Sequence, residues 1–375
     1  MVRILHYGLS ENRGGIETYL CKLWTNIDKN VFHFDFIDTN VGKPCFYDEF
    51  SEMGSKFFKI TPRKISIRKN KKDLEDLFRK EKFDVLHCHL NTLSYITPIK
   101  IALKHGCKVI VHSRSSNSPD SFTTRILHYT NYYYFNFKYK DRIVKLAVSN
   151  NAGEWLFGMK SSFRILNNGI DIDMFKFSYS LRLKKRDELG LSDNFIIGHI
   201  GAFNYPKNHE YLFKVFKNYL HLNKNAILLL VGDGELKEYL INLAYKMEID
   251  DQVRFLGIRT DVAELMFAMD FLVFPSRYEG FPNVVLEAQT TGLPCLISDN
   301  ITDEVMLSED CIAYSISEDP QNWAKKINEI IFDQNRETAF KVVEKNGFSV
   351  NEEIKKIENI YLETILNNGE DNYEF

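Results

Sequence analysis

The amino-acid sequence predicts an α/β protein with two doubly wound domains, each built on a parallel β-sheet. Short apolar runs alternate with longer amphipathic segments along most of the chain, as strands alternate with crossover helices in such sheets. The alternation stops in the turn-rich stretch RILNNGIDIDMF, near Asn167 and Asn168, and then starts again. A chain of 375 residues with 44% hydrophobic residues is large enough for two separate cores.

The first block covers residues 1–167. It opens with the strand VRILHYG, the helix GGIETYLCKLWTNI and the strand FHFDFID. The alternation continues with DLEDLFRKEKF as a helix, DVLHCHL as a strand, LSYITPIKIALKHG as a helix that ends at glycine, and KVIVHS as a strand. A long aromatic helix, the strand VKLAVS and the short helix AGEWLFG complete the block.

The second block, residues 168–349, repeats the pattern, and a charged helix within residues 350–375 closes the chain. Its strands are predicted at FIIGHIGAF, AILLLVGDG, VRFLG, FLVFPS and LPCLIS, and its helices at NHEYLFKVFKNYLHL, ELKEYLINLAYKM, DVAELMFAMD and VVLEAQTTG. Ligands bind beyond the carboxyl ends of the strands in open parallel sheets. We therefore expect two facing domains whose functional loops border an interdomain cleft.

Composition and charge argue against several classes of protein. The net charge of −3 argues against a nucleic-acid-binding protein, which would carry a basic excess. The N-terminal segment has no signal-peptide pattern, and no stretch approaches the roughly 20 apolar residues of a membrane-spanning helix. The six cysteines form no CxxC pair, which favours buried free thiols over zinc or disulfides. We therefore expect a cytoplasmic protein.

The loop after the first strand places Gly14 and Gly15 at the start of a helix. Bare backbone amides at a helix N-terminus can seat an anion such as a phosphate. The glycines match neither GxGxxG nor a Walker A loop, so a tight strand-to-helix turn is the alternative interpretation.

Two further strand ends carry polar side chains that could bind a ligand. His112 ends the run KVIVH, where an imidazole could hydrogen-bond a polar ligand, and His87 and His89 alternate on a neighbouring strand. Lys207 lies in the loop AFNYPKNHEYL, where it could meet a diphosphate. Alternatively, the histidines have only a structural role, and Lys207 is a solvated surface residue.

The stretch EGFPNVVLE carries an acid at each end, between a buried strand and a helix. Glu279 falls in the loop after the strand and Glu287 in the first turns of the helix, where the dipole helps to keep a carboxylate ionised. Asn283 is the predicted N-cap. Carboxylates on either side of amide donors would match a nucleotide-sugar, which has hydroxyl groups at both ends and phosphates in its middle. The residues between the acids that would line this ligand are Gly280, Phe281, Pro282, Asn283 and Val284.

The longer segment PSRYEGFPNVVLEAQTTGLPCLIS resembles the Glu-x7-Glu signature of glycosyltransferase family 4, the retaining nucleotide-sugar enzymes of GT-B fold. GGIETYL, VHSRSSN, NNGIDIDMF, KNHEYL, VGDGEL and FLGIRTDVAELM also resemble segments of that family, in the family's order. The resemblance covers nearly the whole chain and points to the bacterial capsule and exopolysaccharide branch. It implies two Rossmann-like domains, the first binding the acceptor and the second the donor.

The resemblance also implies roles for individual residues. Glu279 would contact the hydroxyl groups of the donor sugar, and Glu287 those of the ribose. His112 would lie beside the transferred sugar, near the leaving phosphate. The diphosphate would be held by Gly14, Gly15 and Lys207.

For the rest of the donor, the resemblance places the loop Gly257 to Asp261, with Arg259, beside the base. Members of the family transfer sugar with retained anomeric configuration and need no bound metal ion. We therefore expect no cofactor, and a UDP-sugar as the donor substrate.

One position departs from the family pattern. The family pairs the lysine with an arginine five positions earlier, where this chain has Ala202. Stabilising the leaving diphosphate is the main electrostatic task of such a site, so the loss of a cation is costly. The candidate replacements are Arg259, Arg277 and Arg114. A non-catalytic partner subunit therefore stays open as an alternative, and a nucleotide-sugar epimerase of the same fold is a second one.

Two acid patterns suggest other chemistry. Paired carboxylates also occur in glycoside hydrolases, but the helical position of Glu287 and the glycine-rich phosphate seats argue against that reaction. The DxD at Asp171 to Asp173 invites a metal-binding interpretation, but it follows NNG in the interdomain turn and is interpreted as turn chemistry.

A basic run, RKISIRKNKK (Arg63 to Lys72), stands out in this acidic chain, and the segment Tyr132 to Arg142 interleaves aromatic residues with Lys138, Lys140 and Arg142. Such residues suit an anionic bilayer, where each Lys or Arg near the head groups contributes about 1 kcal/mol. A solvated helix face beside an aromatic core helix is the alternative. With a lipid-linked acceptor, we expect peripheral docking at the inner face of the plasma membrane.

Together these observations predict a retaining hexosyl- or N-acetylhexosaminyltransferase. Its acceptor would be a saccharide or lipid-linked saccharide in bacterial surface polysaccharide biosynthesis.

Overall fold

The structure, a computed structural model, describes residues 1–117, 122–139, 141–330 and 336–366. They form two compact units. The first contains Met1–Asn168 and the C-terminal segment that starts at Val350, and the second contains Gly169–Ser349. The acceptor-binding and donor-binding roles of these units remain predictions.

The first unit is built on a parallel sheet. Its strands are β1 (Val2–Tyr7), β2 (Phe32–Asp38), β3 (Phe57–Lys59), β4 (Val85–Leu90), β5 (Lys108–Ser113), β6 (Val144–Ala147) and β7 (Arg164–Ile165). Its helices are α1 (Gly15–Asn26), α2 (Tyr47–Glu52), α3 (Ile67–Lys80), α4 (Thr97–Lys104), α5 (Phe122–Lys138), α6 (Asn150–Phe157) and, at the end of the chain, α15 (Val350–Leu366). The seven strands are ordered β3-β2-β1-β4-β5-β6-β7.

The second unit repeats this architecture. Its strands are β8 (Phe195–Ile200), β9 (Ala226–Val231), β10 (Val253–Gly257), β11 (Phe271–Phe274), β12 (Cys295–Ser298) and β13 (Cys311–Tyr314). Its helices are α7 (Ile172–Phe175), α8 (Tyr179–Leu189), α9 (His209–Leu220), α10 (Lys237–Lys246), α11 (Val262–Ala268), α12 (Asn283–Thr290), α13 (Pro320–Glu329) and α14 (Phe340–Lys345). The six strands are ordered β10-β9-β8-β11-β12-β13, and all described pairs are parallel.

In each sheet the chain winds outward in one direction and then resumes on the other side of its first strand. The strand order therefore reverses between β1 and β4 in the first unit and between β8 and β11 in the second. Backbones approach closely at these switch points. Gly8 has a φ of 125°, and a Cβ there would lie 2.6 Å from the carbonyl oxygen of His89. Parallel sheets of this kind bind ligands beside such switch points.

The predicted alternation of strands and helices is confirmed, but the prediction omitted several elements, among them α8, β13 and α13. RILNNGIDIDMF was expected to be a turn, but it contains β7 and the one-turn helix α7. Asp171 caps α7 by accepting a hydrogen bond from the amide of Met174 (3.2 Å), and Asp173 pairs with Lys176 (2.6 Å). The DxD therefore makes local contacts of the kind expected of turn chemistry.

The six cysteines are free, as predicted; Cys88, Cys107, Cys295 and Cys311 are buried, whereas Cys21 and Cys45 are only half-buried. None of the described helices is both long enough and apolar enough to cross a membrane.

Four histidines are buried together on one face of the first sheet. Side chains alternate between the faces of a strand, so His6, His87, His89 and His112 all join the face that α1 and α15 cover. His6 Nδ1 lies 3.1 Å from His89 Nε2, and His87 Nδ1 lies 2.8 Å from the hydroxyl group of Tyr361 on α15. Burial lowers the pKa of His6 to about 3 and lowers the pKa values of the other three well below the usual value. The cluster therefore stays neutral in the folded protein.

Acid is expected to destabilise the first unit for this reason. The imidazoles protonate in the unfolded chain below about pH 6.5 but stay neutral in the folded chain. The free energy of unfolding should therefore be fully retained above that pH and fall below it, by about 1 kcal/mol per pH unit for each histidine. Urea unfolding followed by tryptophan fluorescence, between about pH 8 and pH 5, measures this slope.

A substitution isolates the contribution of the cluster. His6 packs against Phe34 (4.3 Å between ring centroids), so His6→Phe should fit the site and make the slope shallower by the share of one histidine. His221→Gln, at an exposed position, is the control and should keep the wild-type slope. Equal slopes for His6→Phe and the wild type would contradict the assignment.

Candidate functional site

The central contact of the second unit joins two predicted site residues. Lys207 lies on the 3-10 turn Tyr205–Lys207 after β8, and its Nζ donates a hydrogen bond to Glu279 Oε1 at 2.7 Å. The same ammonium lies 4.6 Å from the ring centroid of Phe274, the last residue of β11. Each charged side chain is only 16% exposed, so the ion pair is largely shielded from solvent. The pair explains how an acid is compensated in this loop.

The sheet topology brings these residues together although they are 72 positions apart. β8 and β11 are direct neighbours at the switch point, with Phe271 opposite Ile197, so their carboxyl ends share an edge. A backbone contact ties the same loops, since the amide of Arg277 donates to the carbonyl of Pro206 at 2.7 Å. The fold therefore explains the contact, because each residue follows one of these two neighbouring strands.

Two neutral histidines, His199 and His209, form a pair beside Phe274, whose ring is close to the Lys207 ammonium. The ring of His199 stacks on Phe274 at 5.4 Å, and His209 lies 4.6 Å from His199. Burial lowers the pKa of His199 to about 4 and that of His209 to about 2, and Lys207 contributes to both shifts. Both imidazoles are therefore uncharged at neutral pH and do not repel Lys207. Neither histidine was predicted as part of the site.

The start of α12 differs from the prediction. Pro282 occupies the N-cap position without a side-chain hydrogen bond, and Asn283 is the first helical residue, so the assignment of Asn283 as N-cap was wrong. Proline fits this position because its fixed φ and missing amide hydrogen are tolerated at a helix start. Glu287 is consequently the fifth residue of the helix. The helix dipole acts mainly within the first turn, so it supports this half-buried carboxylate less than expected.

The loop between the two acids is well anchored. Gly280, Phe281 and Pro282 are buried, while Asn283 and Val284 are half-buried. The ring of Phe281 stacks on Phe348 at 5.6 Å with an interplanar angle of 15°. This contact fixes the loop next to Glu279, although the ligand contacts of Gly280 to Val284 remain predictions.

Arg259, expected beside the base, is engaged within its own loop. Its Nε and Nη2 donate to the two carboxylate oxygens of Asp261 at 2.8 and 2.7 Å. Asp261 also accepts a hydrogen bond from Lys185 at 2.9 Å, and these contacts, with that of Arg259 first, lower the pKa of its carboxyl group. Arg259 is therefore held by a bidentate ion pair.

In the first unit, an internal carboxylate lies close to the predicted anion seat. Gly14 is the N-cap of α1, at the helix start where the sequence placed the glycine pair, and Glu17 lies in the first turn of this helix. Glu17 Oε1 accepts a hydrogen bond from the amide of Ser10 at 2.8 Å, and a Cβ on Gly14 would lie 2.9 Å from Glu17 Oε2. Glu17 therefore binds the loop before α1 through Ser10, and among the described residues the helix start has no side-chain capping hydrogen bond. The phosphate contact of Gly14 and Gly15 remains a prediction.

His112 lies near the end of β5, as predicted, but its side chain has no exposed surface. Its Nε2 lies 3.3 Å from a guanidinium nitrogen of Arg114, which itself lies 3.9 Å from the ring centroid of Tyr19. Because an arginine only donates, Nε2 is the acceptor, and the ring proton is on Nδ1. The predicted contact of His112 with a transferred sugar therefore stays a prediction.

One group among the described residues has spacing suited to a metal ion. The potential ligand atoms of His6, His87 and His89 lie within 4.8 Å of one another. The histidines are fully or almost fully buried and already contact one another and Tyr361, so we interpret them as part of the core.

Comparison with known proteins defines the class to which this fold and site belong. Residues 13–174 match the family described as Glycosyltransferase Family 4, and residues 182–346 match the family described as Glycosyl transferases group 1. The two matches correspond to the two parallel-sheet units. The protein is therefore a glycosyltransferase of GT-B fold.

Individual relatives agree with this assignment. The chain is 30% identical to EpsF of Bacillus subtilis (strain 168), a protein named as a glycosyltransferase, over 87% of this chain and 86% of EpsF. It is 25% identical to the UDP-Gal:alpha-D-GlcNAc-diphosphoundecaprenol alpha-1,3-galactosyltransferase of Escherichia coli, over 98% of both chains. The crystal structure of Anabaena HepE in complex with UDP-glucose superposes with a TM-score of 0.78 at 20% identity, covering 97% of this chain and all of HepE. The chain belongs to glycosyltransferase family 4.

Proposed function

We propose that the protein is a retaining glycosyltransferase that uses a UDP-sugar to extend a saccharide or lipid-linked saccharide in bacterial surface polysaccharide biosynthesis. The observation that carries the proposal is the Lys207–Glu279 pair at the adjoining carboxyl ends of β8 and β11. The Escherichia coli relative supports a UDP-sugar donor and a diphosphoundecaprenol acceptor, since its name states both. HepE, solved with UDP-glucose, supports the same donor class.

Each member of the ion pair has a separate task in this proposal. The Lys207 ammonium has three donor hydrogens and uses one on Glu279, so it can also donate to a phosphate oxygen. Glu279, held in place by Lys207, accepts hydrogen bonds from hydroxyl groups of the donor sugar. Glu287 binds the ribose, and Arg259 lies beside the base. His112 and the Gly14–Gly15 turn keep the roles that the family resemblance implies.

The transfer step breaks the bond between the anomeric carbon and the diphosphate oxygen. The acceptor oxygen forms its new bond to that carbon on the face that the diphosphate leaves, so the configuration is retained. The acceptor's proton moves to the departing diphosphate oxygen, and Lys207 stabilises the negative charge that develops there. Independence from a bound metal ion is part of the proposal and rests on the family resemblance.

Loss of either charged residue is expected to abolish most transfer without unfolding the protein. Lys207→Ala removes the stabilisation of the leaving group and Glu279→Ala removes a sugar contact, so each should lower the turnover about 100-fold or more. The donor is first identified by thermal shift against a panel of nucleotide-sugars, because a bound donor raises the melting temperature. Turnover is then measured with that donor by release of the nucleotide.

Lys326→Ala and Glu329→Ala are matched controls, since these residues form an exposed ion pair on α13 (3.4 Å). Both control variants should keep wild-type turnover. Near-normal turnover in either Lys207→Ala or Glu279→Ala would refute the proposed function.

Ala202 favours one alternative, a non-catalytic partner subunit that keeps the fold. Its side chain is exposed beside the Lys207 loop and provides no charge. Slow hydrolysis of the donor by the isolated protein would support the enzyme. Activity that appears only with a second protein, and no hydrolysis alone, would support the partner subunit.

We further propose that the first unit docks on an anionic membrane. On α5, Phe122 (80% exposed), Tyr133 (72%) and Phe137 (89%) share a strongly exposed surface, while Phe135 packs in the core. In the basic run, α3 begins after Ser66, which accepts a hydrogen bond from the amide of Lys69, and Ile65 and Ile67 are each about two-thirds exposed.

The charge around these apolar groups suits anionic lipids. Residues 63–72 contain no acid, and neither does α5, which ends with an exposed Lys138. Arg142 is also exposed, while Lys140 lies outside the described residues. Exposed aromatic and aliphatic side chains beside lysine and arginine are typical of proteins that lie in the membrane interface.

Flotation with liposomes is expected to separate the two contributions. Wild-type protein should bind phosphatidylglycerol vesicles more strongly than phosphatidylcholine vesicles. Combined replacement of Lys64, Arg68 and Lys69 by glutamine should lower binding to the anionic vesicles, by several-fold for each charge, at about 1 kcal/mol per residue. Replacement of Phe122, Tyr133 and Phe137 by serine should weaken binding to both.

Tyr239→Ser and Tyr245→Ser are controls, since both side chains are exposed on the second unit. They should leave flotation unchanged. Equal binding of the wild type to neutral and anionic vesicles would remove the proposed docking surface.

A further inference from the structure

The departure at Ala202 leaves the proposed diphosphate site short of positive charge. The stem of Lys207 runs along Gly201, where a Cβ would lie 3.0 Å from Lys207 Cε, so position 202 is next to the lysine. Alanine supplies no charge there. Glu279 already neutralises Lys207 through their ion pair. A leaving diphosphate would therefore need another cation from the surrounding loops.

Two of the three candidate arginines are engaged elsewhere. Arg259 donates to both carboxylate oxygens of Asp261. Arg114 belongs to the first unit, where its guanidinium lies 3.9 Å from the Tyr19 ring and 3.3 Å from His112 Nε2. Both guanidinium groups already have partners within the protein, so neither is the best candidate to bind the diphosphate.

Arg277 is the candidate that could still bind a ligand. Its Nε is buried and has no hydrogen-bond partner among the described residues, and its guanidinium pairs with no carboxylate among them. The guanidinium carbon lies 4.5 Å from the ring centroid of Tyr205, a half-exposed side chain on the turn that carries Lys207. A buried donor without a partner is costly, and a phosphate oxygen bound beside Arg277 would satisfy it.

The backbone holds Arg277 beside the ion pair. Its amide donates to the carbonyl of Pro206, the residue before Lys207, at 2.7 Å. Arg277 also stands two positions before Glu279. It therefore belongs to both loops that the ion pair joins, and the contact with Tyr205 limits the freedom of its planar group.

We propose that Arg277 is a catalytic residue that donates hydrogen bonds to the leaving diphosphate and supplies the positive charge missing at Ala202. The inference rests on the proposed function and adds a second cation to its site. A guanidinium can donate two parallel hydrogen bonds to phosphate oxygens and stays protonated throughout. It stabilises the charge of the diphosphate, while the acceptor's proton still moves to the diphosphate oxygen.

A reciprocal substitution tests this inference. The variants are Arg277→Gln, Arg277→Lys, Ala202→Arg and the double variant Ala202→Arg/Arg277→Gln, with Arg254→Gln as an exposed arginine control in the same unit. UDP binding is measured by calorimetry. Turnover is measured as UDP release from whichever of UDP-glucose, UDP-galactose and UDP-N-acetylglucosamine the wild type uses fastest.

Arg277→Gln is expected to lower turnover about 100-fold and UDP affinity about 10-fold, and Arg277→Lys to have an intermediate effect. The double variant should recover at least about tenfold of the lost turnover, because an arginine at the exposed position 202 restores the charge beside Lys207. Arg254→Gln should match the wild type. If Arg277→Gln does not fold, the weaker UDP binding of Arg277→Lys becomes the decisive measurement.

Two results would overturn the inference while the proposed function stands. In the first, Arg277→Gln keeps wild-type turnover although Lys207→Ala loses it. In the second, Ala202→Arg fails to repair the Arg277→Gln defect, so the two positions do not share a role. Wild-type turnover in Lys207→Ala would instead refute the proposed function itself.

Discussion

The ion pair between Lys207 and Glu279 is the contact on which the rest of the candidate site depends. It joins loops that are distant in sequence, and it is possible only because β8 and β11 are neighbours where the strand order reverses. Both charges are largely shielded from solvent, so removing one would leave the other without compensation, at a cost of about 3 to 5 kcal/mol for a buried pair. The backbone contact between Arg277 and Pro206 reinforces the same junction. The other residues proposed to bind the donor are described by their position relative to this ion pair.

The two units use the same topology for different electrostatics. At the switch point of the second unit, the loops carry charged side chains above two neutral histidines. In the first unit, the same central strands carry a fully buried histidine cluster that α15 seals through Tyr361. The C-terminal helix is therefore part of the core of the first unit, which explains why a chain end carries apolar residues at buried positions. A parallel sheet thus supplies the geometry, and the residues at its strand ends decide the chemistry.

Much of this fold follows from local patterns in the sequence. The alternation of apolar strands with amphipathic helices predicted both sheets, and strand-end reasoning predicted the loops of Lys207 and Glu279. Elements too short to show a period were missed, as β7 and α7 show, and the longer helices α8 and α13 were missed as well. The contact between Lys207 and Glu279 could not be predicted from either loop, because it depends on which strands are neighbours. The contact of Glu17 with the Ser10 amide had no local signal, and Pro282 at the N-cap position of α12 had been overlooked in favour of Asn283.

The central claim is a division of labour, in which Lys207 holds the diphosphate and Glu279 holds the sugar. Calorimetric affinities of the wild type, Lys207→Met and Glu279→Gln for UDP and for the preferred UDP-sugar test it most directly. Lys207→Met should weaken both ligands by about tenfold or more, since it removes a charged hydrogen bond to phosphate. Glu279→Gln should weaken the UDP-sugar more than UDP. An equal loss for both ligands in Glu279→Gln, or unchanged affinities in Lys207→Met, would contradict the account.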